Sequence, residues 1–237
     1  MINSVAIIPA RGGSKRIPRK NIRPFAGVPA IQRTIKIAQD SGLFSEIIVT
    51  TDDSEIAELS SISGASIIDR PSQLSDDRTT TVPVVAHALE SYLNESGNEE
   101  INACCIYPVN PFLEVGDLNA GLDILIESND VSYVLPVCSY PYPIQRGVTL
   151  NKEYVSMLNP EFALTRSQDL IEVFHDAGQW YWGSSKTWIN QDKLLFNSKA
   201  VRIPRWRCQD IDTEEDWIMA ELMFNALTES RIDHKNS

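Results

Sequence analysis

Short apolar runs alternate with helical stripes from Ser4 to about Ser139, and that rhythm leaves few folds open to the chain. The runs SVAIIPA (Ser4 to Ala10), EIIVTT (Glu46 to Thr51), ASII (Ala65 to Ile68), INACCIYP and VSYVLPV have the length and composition of strands buried on both faces. Between them, Ile31, Thr34, Ile35 and Ala38 recur at helical spacing, and Gly42 supplies a stop. Asp53 or Ser54 can cap a helix running to about Ser63. Val85, Ala88, Leu89 and Tyr92 form another stripe, and Leu118, Gly121, Leu122 and Leu125 a further one. Strand and helix in turn build βαβ units with right-handed crossovers. The expected class is α/β, a Rossmann-like, doubly wound, mostly parallel sheet.

The rhythm breaks between Ser139 and Asp176, where SYPYPIQRGVTLNKEYVSML is rich in Pro and Tyr and alternates in short pieces. We read 139–176 as a β-rich arm inserted into the α/β domain. Alternation resumes with GQWYWG, a short helix over Ser184 to Trp188, the strand KAVRIP, and a final helix with Trp217, Ala220, Phe224 and Leu227 on one face. With 237 residues, 43% apolar content and no internal repeat, 1–237 reads as a single large domain. The last ten residues are polar and stand outside this pattern.

Charge is unevenly placed. Met1 to Gln39 holds eight Lys or Arg and no acid, while the rest holds 13 basic and 32 acidic residues, for a total of -11. Such a body repels nucleic acid and anionic membrane, and neither is an expected partner. Arg11, Lys15, Arg16, Arg19 and Lys20 crowd IPARGGSKRIPRKN, directly behind the first strand. In a parallel α/β sheet, ligands sit beyond the C-terminal strand ends. The stretch therefore reads as a pocket for a small polyanion. Past Ala10, Gly12 and Gly13 let backbone approach a ligand, Arg11 offers a planar fork of donors, Lys15 and Lys20 offer point charges, and Ser14 offers a hydroxyl. Asn21 can hold the loop backbone or contact a ligand. Neither G-x-G-x-x-G nor G-x-x-x-x-G-K-[ST] is present, which disfavours a dinucleotide dehydrogenase and a P-loop ATPase.

A second site lies in RCQDIDTEEDW. Asp210 and Asp212 face the same way if Ile211 points into the core, and two convergent carboxylates suit Mg²⁺ with substrate phosphates. The competing reading is that Asp212 or Thr213 starts the last helix, with Asp216 at capping-box spacing from Thr213. Cys104, Cys105, Cys138 and Cys208 form no C-x-x-C, and His87, His175 and His234 have no zinc-like spacing. Free thiols, no leader h-region and no membrane-length apolar run point to a cytoplasmic protein.

IPARGGSKRIPRKN, TDD, RPSQLSDD, YPVNPFL and QDIDTEEDW resemble, in order and spacing, the cytidylyltransferases that activate nonulosonic acids, the CMP-sialic acid synthetase family, over roughly Val5 to Leu227. Within it, TRSQDL followed by HDAGQWYWG is most similar to the branch that takes pseudaminic acid. The resemblance implies a nucleotide-diphospho-sugar transferase type of fold. It also implies formation of a CMP-sugar and pyrophosphate from CTP, with Mg²⁺, in a homodimer whose arm is the dimerisation element.

Residue by residue, the resemblance places Arg11, Gly12, Ser14, Lys20 and Asn21 on the triphosphate, with Ala10 and Gly13 in the same loop. Arg70 falls at the cytosine edge, Thr81 on the nucleotide, and Asp210 and Asp212 on the metal. Arg11, Lys20 and Asp212 are the implied catalytic residues. Arg166 matches an arginine at the sugar or the dimer contact, and Tyr107, His175 and Gln179 fall on the sugar side. The chain departs from sialate-type members at Tyr107, at His175 and at Ala177-Gly178, all on the sugar side.

Plainer roles stand beside these. Asp52 and Asp53 can cap the next helix, Arg70 can pair with Asp76 or Asp77, Tyr107 can be a strand-end aromatic, and His175 and Asp176 can bond each other. Activation of sialic acid, legionaminic acid or 3-deoxy-octulosonate is the alternative within enzymes. A non-catalytic nucleotide-binding protein is the alternative outside them.

Overall fold

The computed structural model describes residues 3–97, 100–128, 130–191 and 193–235. In chain order, β1 (Ser4–Pro9) is followed by the two-residue strands β2 (Pro24–Phe25) and β3 (Val28–Pro29), then α1 (Ala30–Ser41), β4 (Glu46–Thr51), α2 (Ser54–Ile62), β5 (Ser66–Asp69) and α3 (Thr81–Ser96). Next come β6 (Asn102–Ile106), α4 (Val115–Glu127), β7 (Tyr133–Ser139), β8 (Val148–Asn151) and β9 (Tyr154–Met157). The chain closes with β10 (Phe174–Asp176), β11 (Trp180–Ser184), α5 (Ser185–Asn190), β12 (Ser198–Arg202) and α6 (Glu214–Lys235). The helix thus extends into the polar tail, whose residues 236–237 lie outside the described residues.

The local causes are those the sequence offered. Gly42 ends α1 with a left-handed φ of 64°, a conformation costly for any residue with a Cβ. The Asp53 carboxylate caps α2 by accepting from the N–H groups of Glu55 and Ile56. Ser184 does the same for α5 through Thr187 N–H.

β1 pairs in parallel with β4 and with β6, and β4 pairs in parallel with β5. β11 joins the other side of β6 and runs antiparallel to it and to β7. Val137 of β7 has Asp176 of β10, antiparallel, on one side and Arg202 of β12, parallel, on the other. The sheet is therefore parallel through its first half and carries an antiparallel insertion. Polypeptide that returns through the arm has no crossover helix to reverse it, so it enters the sheet in the opposite direction.

Side chains alternate between two apolar layers. Ala6, Ile8, Val49 and Cys104 face α1 and α4, whereas Val5, Ile7, Ile48 and Cys105 face α3. Adjacent Cys104 and Cys105 thus point to opposite faces, as strand geometry requires. Residues 140–173 leave the sheet, and β8 and β9 pair only with each other. The arm's expected ends, Ser139 and Phe174 to Asp176, belong to the sheet.

A third cluster, away from the sheet faces, positions the site. Ile17, from the middle of the basic loop, is fully buried with Phe25, Phe112, Ile211 and Trp217. The loop and the Asp210–Asp212 segment are anchored in one apolar plug, so they meet above it.

Candidate active site

The basic loop leaves β1 at its C-terminal end. Buried Ala10 closes the strand by donating its N–H to Thr50 O at 3.0 Å. Asn21 holds the loop, its Nδ2 donating to Arg11 O at 2.9 Å. Gly12 is set by close approach: a Cβ there would lie 2.5 Å from Asp53 Oδ2. Its N–H donates to Asp52 Oδ1 at 2.9 Å, so this amide already serves a carboxylate. Gly13 has no atom within 4 Å of where a Cβ would stand, and its face of the loop is open.

Carboxylates from three segments partner the loop's cations. Arg11 Nη1 donates to Asp77 Oδ1 at 2.6 Å, and Lys15 also pairs with Asp77. Those two bonds hold the Asp77 carboxyl below its ordinary range. Arg19 engages Asp53 and Glu55, and the hydrogen bond from Arg19 is the main cause of the lowered Asp53 pKa. Arg16 reaches Asp212 Oδ2 at 2.6 Å, and Lys20 Nζ lies 3.6 Å from Asp212 Oδ1. Arg16 was not singled out from the sequence; its membership of the same loop was the available signal.

Ile211 is buried, so the condition for convergent carboxylates is met. The cap of α6 is supplied by others: Thr213 Oγ1 accepts from Asp216 N–H, and Asp216 Oδ2 accepts from the N–H groups of Asp212 and Thr213. The carboxylates of Asp210 and Asp212 take no part in the capping box. Asp210 accepts no hydrogen bond among the described residues. Loss of water around its carboxyl, with Asp212 beside it, pushes its pKa up. A carboxylate that lacks a donor and sits beside another suits a hard cation.

Arg11, Ser14, Lys20 and Asn21 line one wall of a cavity of about 480 Å³, and Asp210 and Asp212 line another. Tyr107 and Asn110 belong to it as well. Tyr107 OH lies 2.5 Å from Thr81 Oγ1, which ties Thr81 to the cavity. Burial pushes the Tyr107 hydroxyl up to about 12, so it stays neutral at neutral pH. The Tyr181 ring meets Tyr107 edge-to-face at 5.6 Å, and Tyr181 OH donates to Asp176 Oδ2 at 2.7 Å.

The remaining candidates stand apart. Arg70 is buried; its Nη2 donates to Thr50 O at 2.7 Å, and it borders an adjoining hollow with Asp52 and Asp76 rather than pairing with Asp76 or Asp77. Gln179 lies behind the cavity wall, its Nε2 donating to Arg207 O at 2.6 Å. His175 Nδ1 lies 2.9 Å from Asp176 O, and its ring rests on Tyr140. Arg166 is exposed on the arm.

Two features escaped the sequence reading. Arg207 is buried in a bidentate pair with Asp117, at 2.5 and 3.1 Å, and braces the segment leading to Asp210. Cys138, His175 and Cys208, far apart in sequence, bring their donor atoms within 4.8 Å of one another. No described helix is long and apolar enough to cross a membrane.

A family profile described as cytidylyltransferase matches residues 5–229. The chain is 37% identical to a pseudaminic acid cytidylyltransferase of Campylobacter jejuni over 97% of this chain and 99% of that one. It is 29% identical to N-acylneuraminate cytidylyltransferase A of Danio rerio over 91% of this chain and 49% of the relative. In three dimensions it is similar to a CMP:2-keto-3-deoxy-manno-octonic acid synthetase complexed with CTP. That match has a TM-score of 0.71 at 15% identity, over 94% of this chain and 99% of that one.

Proposed function

The chain belongs to the cytidylyltransferase family, and from that premise we propose that it makes CMP-pseudaminic acid and pyrophosphate from CTP and pseudaminic acid. The observation that carries this reading is a shared cavity. Arg11, Ser14 and Lys20 of the basic loop line it together with Asp210 and Asp212, and Arg16 and Lys20 rest on Asp212.

The anomeric hydroxyl oxygen of the sugar attacks the α-phosphorus of CTP. A new P–O bond forms, the bond to the β-phosphate oxygen breaks, and pyrophosphate departs while the hydroxyl proton is lost. Little covalent chemistry falls to the protein, so positioning and charge stabilisation carry the rate. Arg11, Ser14 and Lys20 receive the triphosphate. Lys20 and Arg16, now on Asp212, turn to phosphate oxygens when CTP enters. Lys20 serves the charge that develops at the α-phosphate. Asn21 and Ala10 keep the loop in register, Gly13 leaves its open face to the phosphates, and Gly12 allows the close packing behind it. Arg70 and Thr81 serve the nucleoside end. Asp210 and Asp212 would hold Mg²⁺, which supplies neutralisation of the phosphates and of the departing pyrophosphate.

On the sugar side we place Tyr107, which remains a neutral hydroxyl, together with His175, Gln179 and Asp176. Arg166 on the arm acts across a homodimer, with 139–176 as the dimerisation element of one domain spanning 1–237. The reaction belongs in the cytoplasm, with no nucleic acid or membrane partner.

The test is pyrophosphate release with CTP and Mg²⁺, offering pseudaminic, legionaminic and sialic acids and 3-deoxy-octulosonate separately. Release with pseudaminic acid alone is expected. Release with another acid discards the sugar assignment and keeps the nucleotide site, and no release with any acid overturns the reaction. Lys20→Ala should lower kcat by about 10²- to 10³-fold, the scale of losing one preorganised donor. Near-normal turnover would remove Lys20 from the chemistry.

A further inference from the structure

Cys138 lies at the end of β7, His175 on β10, and Cys208 in the loop after the buried Arg207. Their sequence separations match no zinc motif, yet the two sulfurs and a ring nitrogen lie within 4.8 Å of one another. From this geometry we infer a binding site for a thiophilic divalent cation, Zn²⁺ in its commonest form, held by Cys138, His175 and Cys208.

A tetrahedral zinc with bonds of about 2.3 Å to sulfur sets its ligands about 3.8 Å apart. The three donors therefore need to close by roughly 1 Å at most. His175 Nδ1 is engaged with Asp176 O at 2.9 Å. A ring N–H on a backbone carbonyl is the usual outer contact of a ligating histidine, and it leaves Nε2 with a lone pair. Cys138 is buried, while Cys208 and His175 are partly exposed, so the site has an apolar floor and a path for the ion. Three protein ligands leave the fourth position to water.

The ligand set is soft, unlike Asp210 and Asp212, so the two sites select different ions. Bound metal would tie β7 and β10 to the loop that leads to Asp210. The inference rests on this geometry and not on the reaction proposed above, and a metal on His175 would take that ring out of the sugar contacts.

Cobalt reports the ligands directly. Metal-free, fully reduced protein titrated with Co²⁺ should develop a thiolate-to-cobalt charge-transfer band and tetrahedral visible bands at one equivalent. Excess Mg²⁺ should leave them unchanged, and one equivalent of Zn²⁺ should abolish them. Cys208→Ser, conservative and partly exposed, should lower Co²⁺ affinity at least tenfold and lose most of the charge-transfer band. His175→Ala should weaken binding while leaving the band. Absence of a charge-transfer band in the unaltered protein overturns the inference whatever the variants do. An unchanged titration in Cys208→Ser overturns it too.

Discussion

A methyl group on Gly12 would press on a carboxylate that already has two duties. Asp53 caps α2 and receives Arg19, and the Gly12 Cβ would stand 2.5 Å from its Oδ2 and 2.9 Å from its Cβ. Overpacking of this kind costs about 1–3 kcal/mol. Gly12→Ala should therefore lower Tm by roughly 3–10 °C for a chain of this size, and the displaced loop should lose affinity for CTP. A melting curve and a CTP titration check both, and an unchanged Tm would show that the loop yields freely. Asp210 gives the opposite sign. Its folded pKa is raised, so ionisation costs stability, and that cost is nil below the ordinary carboxylate pKa and complete above the raised one. At neutral pH and without metal, Asp210→Asn should raise Tm, and the gain should vanish as pH falls into the carboxylate range. The same variant should lose its Mg²⁺ response. At this scale the sequence exposed the loop and both acids, because charge in a Gly-rich stretch behind a buried strand is hard to explain structurally. It could not say that Asp77 and Asp212 would partner those charges, since such pairings join residues tens of positions apart.

Elements follow the same division. Strands and helices up to Ser139 were legible because burial on one stripe or both faces leaves a period in the sequence. The antiparallel entry of β11 was not, because alternation is blind to strand direction. Nor was the brace between α4 and the segment that leads into Asp210. Asp117, in the first turn of α4, holds buried Arg207 with two bonds, and half-exposed Glu114 adds a third contact at 3.0 Å. Arg207 O in turn receives Gln179 Nε2. Removing one partner of a buried pair strands the other charge, at a cost of about 3–5 kcal/mol. With Glu114 remaining, Asp117→Ala should cost about 3 kcal/mol in urea unfolding. Because the brace leads into Asp210, the variant should also need more Mg²⁺ for half-maximal rate. A loss of stability with an unchanged Mg²⁺ requirement would make the brace purely structural.

At the scale of the whole molecule, the arm leaves the largest imbalance. In the β8–β9 hairpin, Val148 opposes Met157 and Leu150 opposes Val155, so all four share one face. Val148, Leu150 and Val155 are 56%, 72% and 62% exposed. A two-stranded hairpin with its apolar face in water is marginal by itself. Contiguous exposed apolar surface of this kind marks an association site. A second copy is the occupant we propose, since an isologous contact buries the same face twice. Light scattering after gel filtration should give twice the chain's 26.6 kDa. Leu150→Asp combined with Val155→Asp places four charges in the symmetric contact and should yield a folded monomer, since neither side chain supports the sheet. If Arg166 completes the partner's site, that monomer should keep CTP binding and lose turnover, and mixing it with a Lys20→Ala dimer should restore none. A wild-type chain that elutes as a monomer at micromolar concentration would remove the dimer, and with it the role across the interface given to Arg166.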